Sequence, residues 1–370
     1  MAALMDWRDL TRTDRLTFRM VNQTNIDAVM GELEGVDLSG SSLTAAYYSD
    51  TRTSGKLRVV GNGWIRNSFI RVIYQVPEWN WSRELGTYLV TNDDASREHG
   101  EWVTDLTLQS LLFGLSTDKL VRPWAIANNA MMLKAAQQNV SAPGFKYDFG
   151  GAGDCRVKGT KIMATGTDRL AIMFALAKMA NDRVDIDGHG RVTLRKYVAP
   201  ANKTPVFTID LRDSRGVALD GLSRTSDFLE IPDVVGVCYR YSETKNGKSV
   251  QREINASARV SSNSPHAHRA RGYTVTDFRE LTEMSPQTAQ RAQQLASQYL
   301  ASDSVEHVEW ELSTIYLPIW EGDVVDLVVR DGEKAYQGTR RCLVKSVDLH
   351  LKDMRMDLTL KEVASGDEED

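Results

Sequence analysis

Gly86-Thr87 and, nineteen positions later, Asp105-Leu106-Thr107-Leu108 recur near the other end of the chain as Gly338-Thr339 and Asp357-Leu358-Thr359-Leu360, at the same spacing. Each interval spans about one hairpin of two strands. An apolar, β-branched stretch precedes each: Phe69-Ile70-Arg71-Val72-Ile73-Tyr74 in one case, Val324-Val325-Asp326-Leu327-Val328-Val329 in the other. Side chains rich in Val and Ile fit a pleated surface. The echo predicts one β-module built twice. A duplicated module makes a symmetric surface or assembly and is not a sign of catalysis.

Outward from these markers, the first hundred residues read as β. Arg15 to Val21 alternates as a strand with one wet face. Asp37 to Thr44 carries turn residues between short apolar runs, and Thr53-Ser54-Gly55-Lys56 reads as a hairpin turn before Leu57-Arg58-Val59-Val60. Short strands with regular turn residues predict a barrel or sandwich. After Leu108 the character changes. Ala125 to Val140 reads as a helix, from its Ala, Met and Leu at helical spacing. A second helix is capped by Thr167, with Asp168 in its first turn, and stops at Asn181. The segments 183–187 and 191–194 form a hairpin about Gly188-His189-Gly190, so 106–200 reads as a small α+β domain. From Pro205 the chain returns to strands at 205–209 and 234–241, with a polar tip at Thr244-Lys245-Asn246-Gly247-Lys248. One helix interrupts, opened by Ser285-Pro286 and presenting Ala289, Ala292, Ala296, Tyr299 and Leu300.

The bulk numbers set limits. The 370 residues exceed one ordinary core and predict about two to four domains. A net charge of −5 argues against a duplex nucleic-acid binder; Arg269-Ala270-Arg271 and Arg340-Arg341 read as solvated faces. Cys155, Cys238 and Cys342 have neither disulfide-framework nor zinc spacing. No apolar run reaches the ~20 residues of a membrane helix, and Met1 to Arg8 lacks a signal-peptide layout. Folding in a cytoplasm, without export by a signal of its own, is the expectation.

Each candidate chemistry has a plainer reading that outweighs it. Asp185-Ile186-Asp187-Gly188-His189-Gly190 invites a calcium loop, but the alignment puts Arg183 and Leu194 where oxygen ligands are required; a hairpin turn is expected. His266-Ala267-His268 has no third ligand nearby and reads as a loop with two exposed histidines. Gly150-Gly151-Ala152-Gly153 is too short for a dinucleotide loop, with Arg156 in place of the third glycine. Ser242-Glu243-Thr244-Lys245 has S-x-x-K spacing without its companion motifs, and no G-x-S-x-G is present. Cys155 has only Arg156 nearby to activate it. Glu306 and Glu309, beside Trp310, read as a solvated face, although a glycosidase would need two convergent carboxyls. Among eight tryptophans, Trp79 and Trp81 could stack sugars but read as packing. The expectation is no catalytic, cofactor-binding or metal-binding residue and no cofactor.

The order of features resembles the baseplate-hub (tail-hub) proteins of long-tailed bacteriophages, also described as minor tail proteins or as the structural part of tail-associated lysins. The residues carrying this are Leu33, Asp50-Thr51-Arg52, Ile70-Arg71-Val72 and Leu85-Gly86-Thr87-Tyr88-Leu89-Val90. At the other end they are Pro318, Gly322-Asp323-Val324-Val325, Val347-Asp348-Leu349 and Met356 to Val363. The helix 167–181 with its Asp-Gly hairpin resembles the middle domain of such hubs. The resemblance implies a β-rich α+β fold of two tube-like β-barrel modules flanking a small α+β domain. The barrels span 1–105 and 205–363, the latter with an inserted helix at about 285–301; the middle domain is 106–204, and 364–370 is an acidic tail. Strands about Ile70 to Tyr74 and Val324 to Val329 would build the barrels. It further implies a structural virion protein at the tail tip, assembled in the host cytoplasm: a homotrimer whose six modules adapt a six-fold tail tube to a three-fold tip and line the DNA channel used in genome ejection. Implied partners are a tail-tube or distal-tail ring protein, the tape-measure protein and a downstream tip or fibre protein, with no sequence-specific nucleic acid and no membrane. Many relatives carry an added peptidoglycan hydrolase; the end of this chain just past its second module makes that activity an expected absence. The alternatives are a cell-wall-active enzyme or carbohydrate-binding tail-tip protein, and a secretion-system spike hub.

Overall fold

A computed structural model of the chain describes residues 6–7, 9, 11–61, 64–157, 159–211, 217–219, 221–227, 230–245, 248–280, 288–304, 307–329 and 337–363. It divides into two compact units. The first comprises Met1–Val198, Thr204–Leu222 and Glu311–Leu360; the second comprises Ala199–Lys203, Ser223–Trp310 and Lys361–Asp370.

The two echoing stretches are built alike. Strand Trp81–Glu98 pairs with Ser68–Val76 through its first half and with Glu101–Ser110 through its second. Strand Gly338–His350 pairs likewise with Val324–Val329 and neighbours Arg355–Glu362. The repeat extends beyond the quoted markers. On one side the order is Val36–Ala46, Thr53–Val60, Glu101–Ser110, Trp81–Glu98, Ser68–Val76 and then Arg15–Asn22. On the other it is Ser223–Asp227, His307–Ile315, Arg355–Glu362, Gly338–His350, Val324–Val329 and then Phe207–Asp210. The outermost members differ: Arg15–Asn22 is antiparallel to its neighbour, whereas Phe207–Asp210 is parallel.

Two separate tube-like barrels were the expectation, and the pairings differ from it. Among the described residues they run as one open path, largely antiparallel, with no ring closed within the chain. The halves join edge to edge, because Ser346–His350 pairs antiparallel with Ser42–Ala46. Leu43, Ala45, Val347 and Leu349 are fully buried along this seam. Alternate residues of both strands thus face one core.

Several element boundaries also move. Thr53-Ser54-Gly55-Lys56 is not a turn but the start of strand Thr53–Val60. Gly55 is needed there for close approach: a Cβ would lie 2.7 Å from Leu43 Cδ2 and from the Ser42 carbonyl oxygen. The corner falls at 47–52, where Arg52 adopts φ 61°. Its guanidinium compensates by donating to the Tyr47 and Val184 carbonyls. Val36–Ala46 is a single strand with an irregularity between Asp37 and Ser42. The Asp37 carboxylate accepts there from the Ser39 backbone and hydroxyl, the usual way Asp competes with a ladder.

Between the halves lies the α+β segment, whose core includes Leu112, Ile126, Met132, Val140, Ile172, Leu176 and Val184. Ser110 precedes helix Leu111–Thr117. The helix expected over 125–140 is shorter, Met132–Ser141; Trp124–Ile126 instead pairs with Lys161–Met163, as its aromatic and β-branched ends favour. Helix Arg169–Ala180 is capped by Asp168, not Thr167: the Asp168 carboxylate accepts from the Ala171 N–H at 2.7 Å. Asn181, in the left-handed region, ends it. Strands Asp182–Ile186 and Val192–Lys196 follow as a hairpin.

In the second unit, strands Val234–Lys245 and Lys248–Arg259 form a long hairpin, with Thr276–Glu280 parallel to the first. The polar tip at Asn246-Gly247 lies outside the described residues, as does Ser285-Pro286. Thr288, accepting from the Arg291 N–H at 3.1 Å, is the cap of helix Ala289–Asp303. Ala292, Leu295 and Ala296 pack on Val235 and Val237, while Ala289 is exposed. Strand Ser223–Asp227 pairs with His307–Ile315, of which 307–310 belong to this unit.

Candidate assembly surfaces

The seam is the first surface of consequence. Thr44 donates its hydroxyl to Asp348 at 2.6 Å. Tyr47 N–H donates to the Lys345 carbonyl and Leu351 N–H to the Ser41 carbonyl, which makes Thr44 and Asp348 an opposed pair whose side chains, not backbones, meet.

A clamp holds the Asp-Gly hairpin on the sheet. Arg71 sits in the otherwise apolar strand Ser68–Val76 and is buried. Its Nη2 donates to the Ile26 carbonyl at 2.7 Å and to the His189 carbonyl at 3.0 Å, and its Nε donates to Thr87 Oγ1 at 2.9 Å. Thr87 in turn donates its hydroxyl to the Gly188 carbonyl at 2.8 Å. Burial lowers the Arg71 pKa from its ordinary value. At the rim Arg191 donates to Asp27 at 2.9 Å, and that bond lowers the Asp27 pKa. A turn is therefore what 185–190 forms: Gly190 N–H donates to the Asp187 carbonyl and Arg191 N–H to Asp187 Oδ1.

Beside the clamp, charged and aromatic groups meet at the 47–52 corner. The Arg183 guanidinium stacks 3.7 Å above the Tyr47 ring and lies 3.6 Å from Asp185. Glu321 faces this group. Burial, then the Asp185 charge, pushes its pKa up to about 8 against the pull of Arg183 and Arg52. A cavity of about 230 Å³ lies between hairpin and sheet, lined by Arg83, Glu84, Asp187, Trp320 and Glu321 among others.

The tryptophans that could have stacked sugars are half-buried in an aromatic cluster. Trp7 meets Trp79 and Trp81 edge-on at 5.0 and 4.9 Å, and Tyr74 lies 4.1 Å from Tyr316. Arg12 covers the Trp7 ring at 5.3 Å. Burial pushes the Tyr316 pKa up to about 12. Trp310 is buried and donates to Glu362 at 2.8 Å.

The remaining sequence candidates do not converge. His266 Nδ1 bonds to Arg271 at 2.7 Å, whereas His268 opens a short helix and bonds to Thr274 at 3.2 Å. Asp148, which accepts from Gly150 N–H and from Arg195, shapes the Gly150–Gly153 loop. Cys155 is half-buried and in no disulfide. Ser242–Lys245 runs along strand Val234–Lys245. Glu309 lies on strand His307–Ile315, and Glu306 falls outside the described residues. Among the described residues no group of three or more His, Cys, Asp or Glu side chains is placed to hold a metal ion, and no helix is long and apolar enough to cross a membrane.

Beyond Tyr88, strand Trp81–Glu98 has no strand on the side opposite Glu101–Ser110 among the described residues. Sequence reasoning missed the clamp, for which Arg71, a lone charge in an apolar strand, was the available signal.

No protein-family model matches the chain, and no curated protein sequence matches it. Solved structures do. The tail protein of Neisseria meningitidis MC58 superposes with a TM-score of 0.63 at 10% identity, covering 94% of this chain and 96% of that one. The 43 kDa tail protein of prophage MuSo2 from Shewanella oneidensis gives 0.64 at 10% identity, with the same coverage. In the Francisella PdpA–VgrG complex the score is 0.58 at 10% identity, covering 98% of this chain and 59% of that one. The chain therefore has the fold of phage tail proteins and of VgrG-type hubs.

Proposed function

We propose that this chain is a non-enzymatic structural protein of a phage tail: a trimeric hub at the distal tip, with catalytic, cofactor and metal sites absent. The observation that carries the reading is the repeated strand order within one polypeptide, joined at an internal seam. Two like modules per chain let three copies present six, which would adapt a six-fold tube to a three-fold tip around a DNA channel. Closed cyclic symmetry is the common solution for such assemblies. The parts would be the strand-rich modules 1–105 and 205–363, tube-like once assembled, and the α+β segment 106–204. Partners would be a tail-tube or distal-tail ring protein, the tape-measure protein and a tip or fibre protein. The fold shared with tail proteins supports this.

Mass measurement in solution and particle images test the proposal. A three-fold ring with a central hole is expected, alone or on adding the ring protein; a strict monomer under both conditions overturns it. The likeness to VgrG favours one second reading, a secretion-system spike hub. Tail genes flanking this one would support the first reading, and effector genes the second.

A further inference from the structure

The α+β segment is basic within an acidic chain. Residues 111–198 hold thirteen Lys or Arg against seven Asp and no Glu, in a chain of net charge −5. Each of those aspartates already serves the fold. Asp118, Asp148 and Asp185 are in ion pairs, and Asp154, Asp168, Asp182 and Asp187 each accept from a backbone N–H. Three of the cations are not balanced in this way. Lys134, Arg156 and Lys161 are exposed and form no ion pair among the described residues. They gather at one place. A trough of about 400 Å³ runs between strand Trp124–Ile126 and helix Met132–Ser141. Lys134 lines it, Arg156 opposes Met131 of its wall, and Lys161 opposes Ile126. Directly opposed residues of an antiparallel pair share a face. The floor is apolar: Trp124 and Met131 flank the small side chains of Ala125, Ala127 and Ala130. Ile162, which opposes Ala125 and is 70% exposed, extends it.

We propose that this trough docks an acidic amphipathic segment of a partner protein, with its apolar side chains against Trp124, Met131 and Ile162 and its carboxylates against Lys134, Arg156 and Lys161. The proposal is independent of the repeated modules and of the assembly reading above. Charge complementarity selects the occupant, because unpaired cations around an apolar floor attract acidic partners and disfavour basic ones. A helix with anchors three and four positions apart is a form that such a groove accepts. Alanine leaves room for its backbone, and the unbranched Met131 side chain adapts to its anchors. Nucleic acid fits less well. The floor offers apolar contact where a phosphate backbone needs a row of cations, and the chain as a whole is acidic.

Peptide selection tests the proposal. A display library of random segments of about 15 residues, long enough to form a helix, is selected on the full chain and counter-selected on full-length Lys134→Glu/Lys161→Glu. The recovered sequences should carry more Asp and Glu than Lys and Arg, with apolar residues at helical spacing. A recovered peptide, labelled and followed by fluorescence anisotropy, should bind the charge-reversed chain about tenfold more weakly than wild type, and added salt should weaken its binding to wild type. Lys178→Glu/Lys196→Glu, an equal charge change at exposed positions elsewhere in the segment, should leave binding unchanged. Ala125→Trp, which fills the trough without altering charge, should weaken binding by a similar factor. Failure to recover such a class overturns the proposal, as does equal binding to wild type and the Lys134→Glu/Lys161→Glu chain. Displacement of the peptide by an equal concentration of a single-stranded oligonucleotide would make this a nucleic-acid site and overturns it too. The hub reading stands or falls separately, on the ring images.

Discussion

Thr44 and Asp348, separated by 304 positions in sequence, share a hydrogen bond of 2.6 Å across the seam that joins the two modules. The bond is exposed, so its strength is modest; the apolar residues on the opposite face of the same strands carry the seam. That division sets the first expectation.

Leu349→Ala should destabilise the chain by about 2–5 kcal/mol, the range for large-to-small changes in a core. Thr44→Val should cost about 1 kcal/mol or less. Urea denaturation of both variants checks the ranking; equal losses would mean that the seam is not held by its buried face.

Arg71→Ala should cost about 3 kcal/mol or more, because it leaves the Ile26 and His189 carbonyls without the donor they face. Amide exchange should rise first at 187–191, the hairpin tip that Arg71 holds. Uniform exchange across the chain would contradict the clamp.

Gly188→Ala should be destabilising although the residue lies in a turn, because the new Cβ would lie 2.5 Å from the Glu84 carbonyl oxygen. Millimolar calcium should leave the melting temperature unchanged, since 185–190 is a docked turn. A calcium-dependent rise in thermal stability would revive the ion-loop reading.

Glu321 makes stability depend on pH. Its folded pKa is raised to about 8 from an ordinary 4.5, so between those values the folded chain holds a proton that the unfolded chain has lost. Stability from this group therefore falls as pH rises from about 4.5 to about 8 and levels off above. Glu321→Gln should remove that slope. Its melting temperature relative to wild type should climb between pH 5 and pH 9; a constant difference would exclude Glu321 as the source.

Much of the local structure was legible from residue pattern. Alternating apolar residues located Arg15–Asn22 and Val324–Val329, and an Asp-Gly turn located the 182–196 hairpin. Errors came where a long-range contact outweighed a local preference. Gly55 looked like a turn because glycine favours turns, but the Leu43 side chain needs the space a Cβ would take. Arg52 turns the corner without glycine because Tyr47 and the distant Val184 bind its guanidinium. Trp79 and Trp81 pack against Trp7, and Trp81 also meets Tyr316, contacts from far away in sequence that composition does not show.

Periodicity and turn residues were enough to show a β-rich α+β chain and to suggest a repeated strand pattern, because side-chain alternation and turn chemistry are local properties. Which edges meet was decided only by the tertiary structure. Backbone N–H and C=O groups are the same at every residue, so strand pairing leaves no mark in composition. The join of Ser42–Ala46 to Ser346–His350 follows from burial and register across hundreds of residues.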